Sequence, residues 1–155
     1  MSKKLFLIFS FLLLSFLSPH SVSAADPTYD YYAKEIILEP TYPTVNQDVV
    51  IKIKVENKGS QAATSTAGLN NYLIEFDNFE KSSVTLPDIT EDNAKQLRPG
   101  MEAFYTINGK FTIRGLRKLT FTIDPNNTFP ETNENNNSVS RTIRVETYDD
   151  LAIED

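Results

Sequence analysis

The alternation of apolar and polar residues over positions 48–57 constrains the fold more than any other feature of this sequence. Four β-branched residues share one parity, namely Val49, Ile51, Ile53 and Val55. Because successive side chains of a β-strand point to opposite sides of the sheet, this segment is predicted to be a strand with one buried face. The turn-forming residues 57–60 then end the strand.

Similar patterns recur between turn residues along the rest of the chain. They cover positions 34–39, 71–77, 83–87, 103–113, 117–124 and 138–146. About seven short strands separated by Pro, Gly and Asn predict an all-β fold, an antiparallel β-sandwich. Only residues 90–97 are predicted to form a turn of helix.

Two positions within these strands leave alternatives open. Asn108-Gly109 could form a two-residue hairpin turn, but the flanking arms would be short. We therefore favour a bulge in one long strand over 103–113. Arg141 shares the parity of the apolar residues Ile143 and Val145, so it is expected near a rim of the sandwich or after a register change.

The residue types that are missing exclude several classes of function. The chain has no cysteine, which excludes disulfides, thiol nucleophiles and cysteine zinc sites. Its single histidine is His20, so catalytic triads built on histidine are excluded from the rest of the chain. We expect no enzymatic activity and no resident cofactor.

The first residues are typical of a secretory signal peptide. Lys3 and Lys4 precede a thirteen-residue apolar run, and small residues follow up to Ala24. A membrane-spanning helix needs about 20 apolar residues, so cleavage after Ala24 is favoured over a membrane anchor. The resulting prediction is a signal peptide (1–24), a tyrosine-rich leader (25–32), a sandwich domain (33–148) and an acidic tail (149–155), secreted to the extracellular space or periplasm.

The net charge of the mature chain bears on its partners. Loss of Lys3 and Lys4 leaves 13 basic and 21 acidic residues, a net charge of −8. This acidic balance disfavours nucleic acid and anionic membrane surfaces. No stable membrane insertion is expected after signal cleavage.

Residues 124–138 concentrate six asparagines, three carboxylates and two prolines between two predicted strands. A structural loop, in which polar side chains bond to unpaired backbone groups, is the favoured interpretation. Phe129 is expected to tuck inward and pin this loop. Calcium binding is the less favoured alternative, because the EF-hand spacing fails; its candidate ligands are Asp124, Asn126, Glu131 and Glu134.

The segment G-L-R-K-L-T-F-T-I-D-P-N-N-T-F-P-E-T-N-E-N-N-N resembles the closing motif of the bacterial cell-adhesion-related domain family CARDB. The matching residues are Gly115, Ile123, Asp124, Glu131, Asn133, Glu134, Asn136 and Asn137. Upstream matches are Val55, Asn57, Gly59, Leu97 and Gly100, whereas Gln47-Asp48 departs from a usual Gly-Glu pair. The resemblance implies an immunoglobulin-like sandwich found in secreted or cell-surface proteins, and it implies no chemistry.

Three functional hypotheses remain from the sequence. The leading one is a non-enzymatic binding module that contacts a protein or polysaccharide at the cell surface through loops or a sheet edge. The alternative is a scaffold subunit of an envelope complex. A hydrolase using Glu131 and Glu134 is disfavoured, because hydrogen bonds should keep both carboxylates ionised. Tyr29, Tyr31 and Tyr32 could form a stacking surface for a partner, although a leader packed loosely on the sandwich is the preferred interpretation.

Overall fold

Seven strands form two antiparallel sheets in the computed structural model, which describes residues 29–63, 67–88 and 96–148. The elements are β1 (Tyr31–Glu39), β2 (Asp48–Asn57), α1 (Ala67–Asn70), β3 (Tyr72–Phe76), β4 (Phe79–Thr85), β5 (Glu102–Phe111), β6 (Gly115–Ile123) and β7 (Ser138–Val145). The predicted sandwich of seven strands is thus confirmed. The predicted signal peptide, residues 90–95 of the predicted helical turn and the acidic tail lie outside the described residues.

The two sheets bury the apolar faces that the alternation predicts. The larger sheet has the order β1-β2-β5-β4 and the smaller one the order β3-β6-β7. The four β-branched residues of β2 are at most 1% exposed, and they face Leu119, Phe121 and Ile123 of β6 across a single apolar core. Since each such side chain contributes about 1.5–3 kcal/mol when buried, apolar contact between the sheets holds the fold together.

Strand β1 begins inside the predicted leader. Tyr31 is its first residue, pairs with Asn57 of β2 and is only 1% exposed. Tyr31 therefore belongs to the core, and the expectation of a loosely packed leader is wrong for this residue. Within the described residues, no helix is long and apolar enough to cross a membrane.

Strand β5 runs without interruption through Asn108 and Gly109, as favoured over a hairpin. Its pairing with β2 keeps one register from Glu102 to Lys110. The irregularity lies in the neighbouring strand, because the β4–β5 register shifts between Lys81 and Ser83. The prediction of a bulge in β5 is therefore wrong, because the bulge lies in β4, where Ser82 is the extra residue.

One side of the sandwich is closed by bonds between the edge strands of the two sheets. The backbone N–H of Ala33 in β1 donates to the carbonyl of Asn136 just before β7, at 3.1 Å. Arg141 of β7 reaches across as well, and its Nη1 donates to the carbonyl of Ile36 at 2.7 Å. The β6–β7 register is continuous, so Arg141 takes the rim position anticipated for it.

Replacing Arg141 with methionine should lower the free energy of unfolding by about 1–2 kcal/mol, because the carbonyl of Ile36 loses a charged donor. Methionine preserves much of the apolar stem. Arg144→Met is the control: this exposed side chain pairs with Glu146, and we expect a loss below about 0.5 kcal/mol. Urea unfolding of both variants tests the prediction, and equal losses would contradict it.

Candidate functional site

The β6–β7 loop, residues 124–137, begins at Asp124, which lies directly after the last residue of β6. This side chain is 1% exposed and accepts hydrogen bonds from Thr128 Oγ1 at 2.6 Å, from the N–H of Phe129 at 2.7 Å and from Asn71 Nδ2. Burial alone would raise the pKa of Asp124, but these donors outweigh it and hold the pKa below its usual value. The ionised carboxylate of Asp124 therefore holds Thr128 and Phe129 of the loop close to the end of β6.

Glu131 connects the middle of this loop to the first strand. It is 5% exposed, and its two carboxylate oxygens accept bonds from the N–H of Tyr31 and from Asn137 Nδ2, the latter at 3.0 Å. Because β1 is an edge strand, the N–H of Tyr31 would otherwise be buried without a ladder partner. Glu131 supplies that partner from 100 residues further along the chain.

Glu134 completes a group of three carboxylates. Its Oε1 accepts the backbone N–H of Glu131 at 2.8 Å. One ligand oxygen each from Asp124, Glu131 and Glu134 lies within 4.8 Å of the others. The structure therefore brings together three of the four candidate calcium ligands, and the fourth, Asn126, is exposed at the turn after Pro125.

The remaining motif residues organise the backbone around the carboxylates. Asn133 Oδ1 accepts the N–H of Asn135 at 3.1 Å, and Asn136 Nδ2 donates to Asp30 Oδ1 at 2.7 Å. Phe129, which was expected to tuck inward, is only half-buried and lies outside the hydrophobic core. Polar bonds, rather than the aromatic ring, pin the loop.

Sequence reasoning missed Asp30 and Asn71, which hold the loop from distant parts of the chain. Asn71 bonds to Asp124 and, at 2.9 Å, to Thr128 Oγ1. Asp30 is 8% exposed and bonds to Asn136, 106 residues away in sequence. No local pattern marks either residue, because both act through contacts between distant segments.

The leader tyrosines do not form a common exposed surface. Tyr29 packs on the buried Tyr31 with ring centroids 5.4 Å apart. Tyr32 is half-buried beneath Lys58, whose Nζ lies 4.2 Å from the ring centroid. Only parts of Tyr29 and Tyr32 reach solvent, so the three-tyrosine stacking surface considered above is not present.

Glu131 corrects the expectation that both loop glutamates are held ionised by hydrogen bonds. The pKa of Glu131 is raised to about 7, mainly by burial; the bonds from Tyr31 and Asn137 oppose this rise, and nearby Glu134 and Asp30 add to it. A pKa near neutrality suits a general acid. Glu131 is nevertheless buried, and its two oxygens already accept bonds from Tyr31 of β1 and Asn137 of the loop, so it offers no surface to a substrate.

The raised pKa of Glu131 predicts that stability falls as pH rises. The folded state holds the proton up to a pH of about 7, whereas the unfolded chain releases it near the ordinary value of 4.5. Stability conferred by the protonated form is therefore complete below 4.5 and lost as pH rises through 7, by up to about 3 kcal/mol. Urea unfolding in chelator at pH 5 and pH 8 measures this difference.

Glu131→Gln is the control for this pH dependence, because the amide cannot titrate and should flatten the profile. No histidine follows His20, so few other groups titrate in this window. Asp124 has the opposite sign, and its contribution is lost only as pH falls below 3.8. Equal stability of the unsubstituted chain at pH 5 and pH 8 would contradict the prediction.

Comparison with known proteins identifies the family and the fold. The CARDB family profile matches residues 30–141, a span that contains all seven strands up to the middle of β7. The crystal structure of the CARDB domain of the PF1109 protein from Pyrococcus furiosus, in complex with di-metal ions, superimposes with a TM-score of 0.54 at 23% identity. That match covers 80% of this chain and 99% of the other, and it shows a shared fold.

The solution NMR structure of the same Pyrococcus furiosus domain gives a TM-score of 0.44 at 22% identity, covering 77% of this chain and 93% of that one. No curated protein sequence matches the chain. CARDB domains are generally non-catalytic modules. With the matched profile spanning most of its length, the chain belongs to the CARDB family of cell-adhesion-related domains.

Proposed function

We propose that this chain is a secreted, non-catalytic binding module that contacts a protein or a polysaccharide at the cell surface. Its membership of a cell-adhesion-related family supports this function. The single structural observation that carries the proposal is the contrast between the two sides of the sandwich. One side is closed by the bonds between β1 and β7, whereas on the other side the described residues leave the edges of β3 and β4 unpaired.

The open side is defined by the edge strands β3 and β4. In the part of the chain that the structure describes, no backbone hydrogen bond joins these strands across the gap between the sheets. Residues 80–83 of β4 are all exposed. An edge strand presents a row of N–H and C=O groups, which an extended peptide can pair as an added strand and which sugar hydroxyls can also bond.

Two features of β4 favour a selective partner over unspecific sheet pairing. Lys81 places a positive charge on the edge, and the bulge at Ser82 breaks the regular spacing of backbone groups. A charged side chain and a bulge on an edge strand both discourage edge-to-edge aggregation of β-proteins. A partner must therefore accommodate the bulge and complement the lysine, which favours an acidic or hydroxyl-rich ligand.

The test is a binding array of cell-surface proteins and polysaccharides, probed with chain purified from culture medium. We expect its N-terminus to be Ala25, and we expect saturable binding that Lys81→Glu weakens roughly tenfold or more. Lys118→Glu is the matched control, since this exposed lysine lies on β6, the central strand of the smaller sheet, rather than on β4. Equal effects of the two substitutions would contradict the role of the β4 edge.

Crosslinking in the native cell distinguishes the binding module from the alternative, a scaffold subunit. Contacts with external ligands support the binding module. Stoichiometric recovery with envelope components, together with no binding on the array, would replace the proposal with the scaffold function.

A further inference from the structure

The buried side-chain atoms without a hydrogen-bond partner share one location and one chemical type. In the three described ranges they are Glu134 Oε2, Asn136 Oδ1 and Asn137 Oδ1. All three are acceptor oxygens, and all three belong to the β6–β7 loop. A buried acceptor without a donor is destabilising by about 1–3 kcal/mol, so this concentration calls for a positively charged or donating occupant.

Asn137 relates these oxygens to the carboxylate group. Its side chain is 5% exposed, and its Nδ2 donates to Glu131 Oε1 at 3.0 Å, which places the amide against the carboxylates. The unpartnered Oδ1 belongs to the same planar amide. The unpartnered oxygens of Asn137 and Glu134 thus lie in the same loop as the carboxylates of Asp124 and Glu131.

The described residues provide no positively charged side chain that pairs with the carboxylates of this region. None of Asp30, Asp124, Glu131 and Glu134 forms an ion pair with a lysine or arginine among the described residues. Mutual repulsion at these distances is substantial where water is excluded.

The spacing of the carboxylates fits calcium better than magnesium. Calcium binds oxygens at about 2.3–2.6 Å, so two ligands on opposite sides of one ion lie about 5 Å apart. The three carboxylate oxygens lie within 4.8 Å of one another, which is inside that limit. Magnesium binds at about 2.0–2.1 Å in strict octahedral geometry and would require the loop to contract.

We propose that the β6–β7 loop binds one calcium ion through the carboxylates of Glu131, Glu134 and Asp124 and the amide oxygen of Asn137. Water completes the 6–8 oxygen ligands that calcium prefers. The ion neutralises the buried carboxylates and gives Glu134 Oε2 and Asn137 Oδ1 the partner they lack. Since Glu131 also bonds to Tyr31, calcium fixes the start of β1 against the loop.

Calcium titration of the metal-free chain, followed by calorimetry and thermal unfolding, tests this site. We expect a stoichiometry of one and a rise in Tm of roughly 10 °C at a hundredfold excess of calcium over Kd. Bound terbium should also luminesce on excitation of tyrosine, because Tyr29 lies against this loop, where its carbonyl accepts the N–H of Thr132 at 3.1 Å. Magnesium should produce a smaller rise in Tm than calcium.

Glu134→Gln should weaken calcium binding at least tenfold, because it removes a ligand charge while preserving the shape of the side chain. Glu80→Gln, an exposed carboxylate on β4, is the matched control and should bind calcium normally. Asn137→Asp is the second variant. Its added carboxylate should lower Tm in chelator and enlarge the rise that calcium produces.

Three results would overturn the proposal. They are the absence of a calcium-dependent shift in the unsubstituted chain, an unchanged Kd in Glu134→Gln, and a response to magnesium that equals the response to calcium. The first two would leave buried water as the partner of the unpaired oxygens, and the third would remove the assignment to calcium.

Discussion

Replacing Asn57 with alanine is expected to lower the free energy of unfolding by about 3–5 kcal/mol. The side chain is completely buried at the end of β2 and makes four hydrogen bonds. Its Oδ1 accepts the backbone N–H groups of Asp30 at 3.2 Å and Gly59 at 2.9 Å. Its Nδ2 donates to the carbonyls of Gln61 and Leu97, each at 2.8 Å.

Alanine would leave all four backbone groups without these partners. A buried unpaired group is destabilising by about 1–3 kcal/mol, but Gly59 and Gln61 are partly accessible to water, which limits the total. Asn57→Asp separates the two halves of the amide. It retains both accepted bonds and loses both donated ones, so a comparable loss is expected from an unpaired buried carboxylate.

Urea unfolding at pH 7 measures these losses, with Asn108→Ala as the matched control. Asn108 is also a strand asparagine, but its side chain makes a single bond, to Ser83 Oγ at 2.9 Å near the surface. We expect a loss below about 1 kcal/mol for that variant. If Asn57→Ala were no more destabilising than Asn108→Ala, the four-bond role of Asn57 would be wrong.

The position of Asn57 also bears on the candidate calcium site. Asn57 holds the N–H of Asp30, and Asp30 in turn accepts the amide of Asn136 in the β6–β7 loop. The end of β2, the start of β1 and the acidic loop are therefore joined by one chain of polar contacts. Loss of Asn57 should weaken calcium binding as well as stability, although Asn57 touches no proposed ligand.

The alternation of apolar and polar residues predicted the strands correctly where the pairing between strands is regular. In β2 every residue of the apolar parity is buried, because no register shift interrupts its pairing with β5. In β1 the buried residues change parity, from Tyr31 and Ala33 to Ile36 and Leu38, across the register shift between Ala33 and Glu35. Because this register shift interrupts the alternation in the sequence, the prediction placed the start of the strand later than the structure does.

The sequence also predicted which loop would concentrate carboxylates, but only part of its arrangement. Asp124, Glu131 and Glu134 converge as the calcium hypothesis required. Asn126, the fourth candidate, is exposed at the turn after β6. The pairing of Glu131 with Tyr31 and of Asn136 with Asp30 depends on how distant strands pack, which local composition does not encode.

Substituting Gly109 with alanine is the other change from which we expect a large effect, a loss of about 3 kcal/mol in the free energy of unfolding. Gly109 lies on the inward face of β5, beneath β4. A Cβ at this position would lie 2.3 Å from the carbonyl oxygen of Glu80 and 2.5 Å from the ring of Phe79. Because the nearest atom is backbone, a side-chain rotation cannot relieve the contact.

Gly100→Ala separates this clash from the intrinsic effect of replacing glycine. Gly100 has a φ of +77°, and a Cβ there would meet no atom within 4 Å, so alanine incurs only left-handed backbone strain of about 1 kcal/mol. Thermal and urea unfolding compare the two variants. Since Gly109 allows β4 to approach β5, its substitution should also displace the β4 edge and weaken ligand binding on the array. Equal losses in stability for Gly100→Ala and Gly109→Ala would show that the close approach of β4 is not what requires glycine.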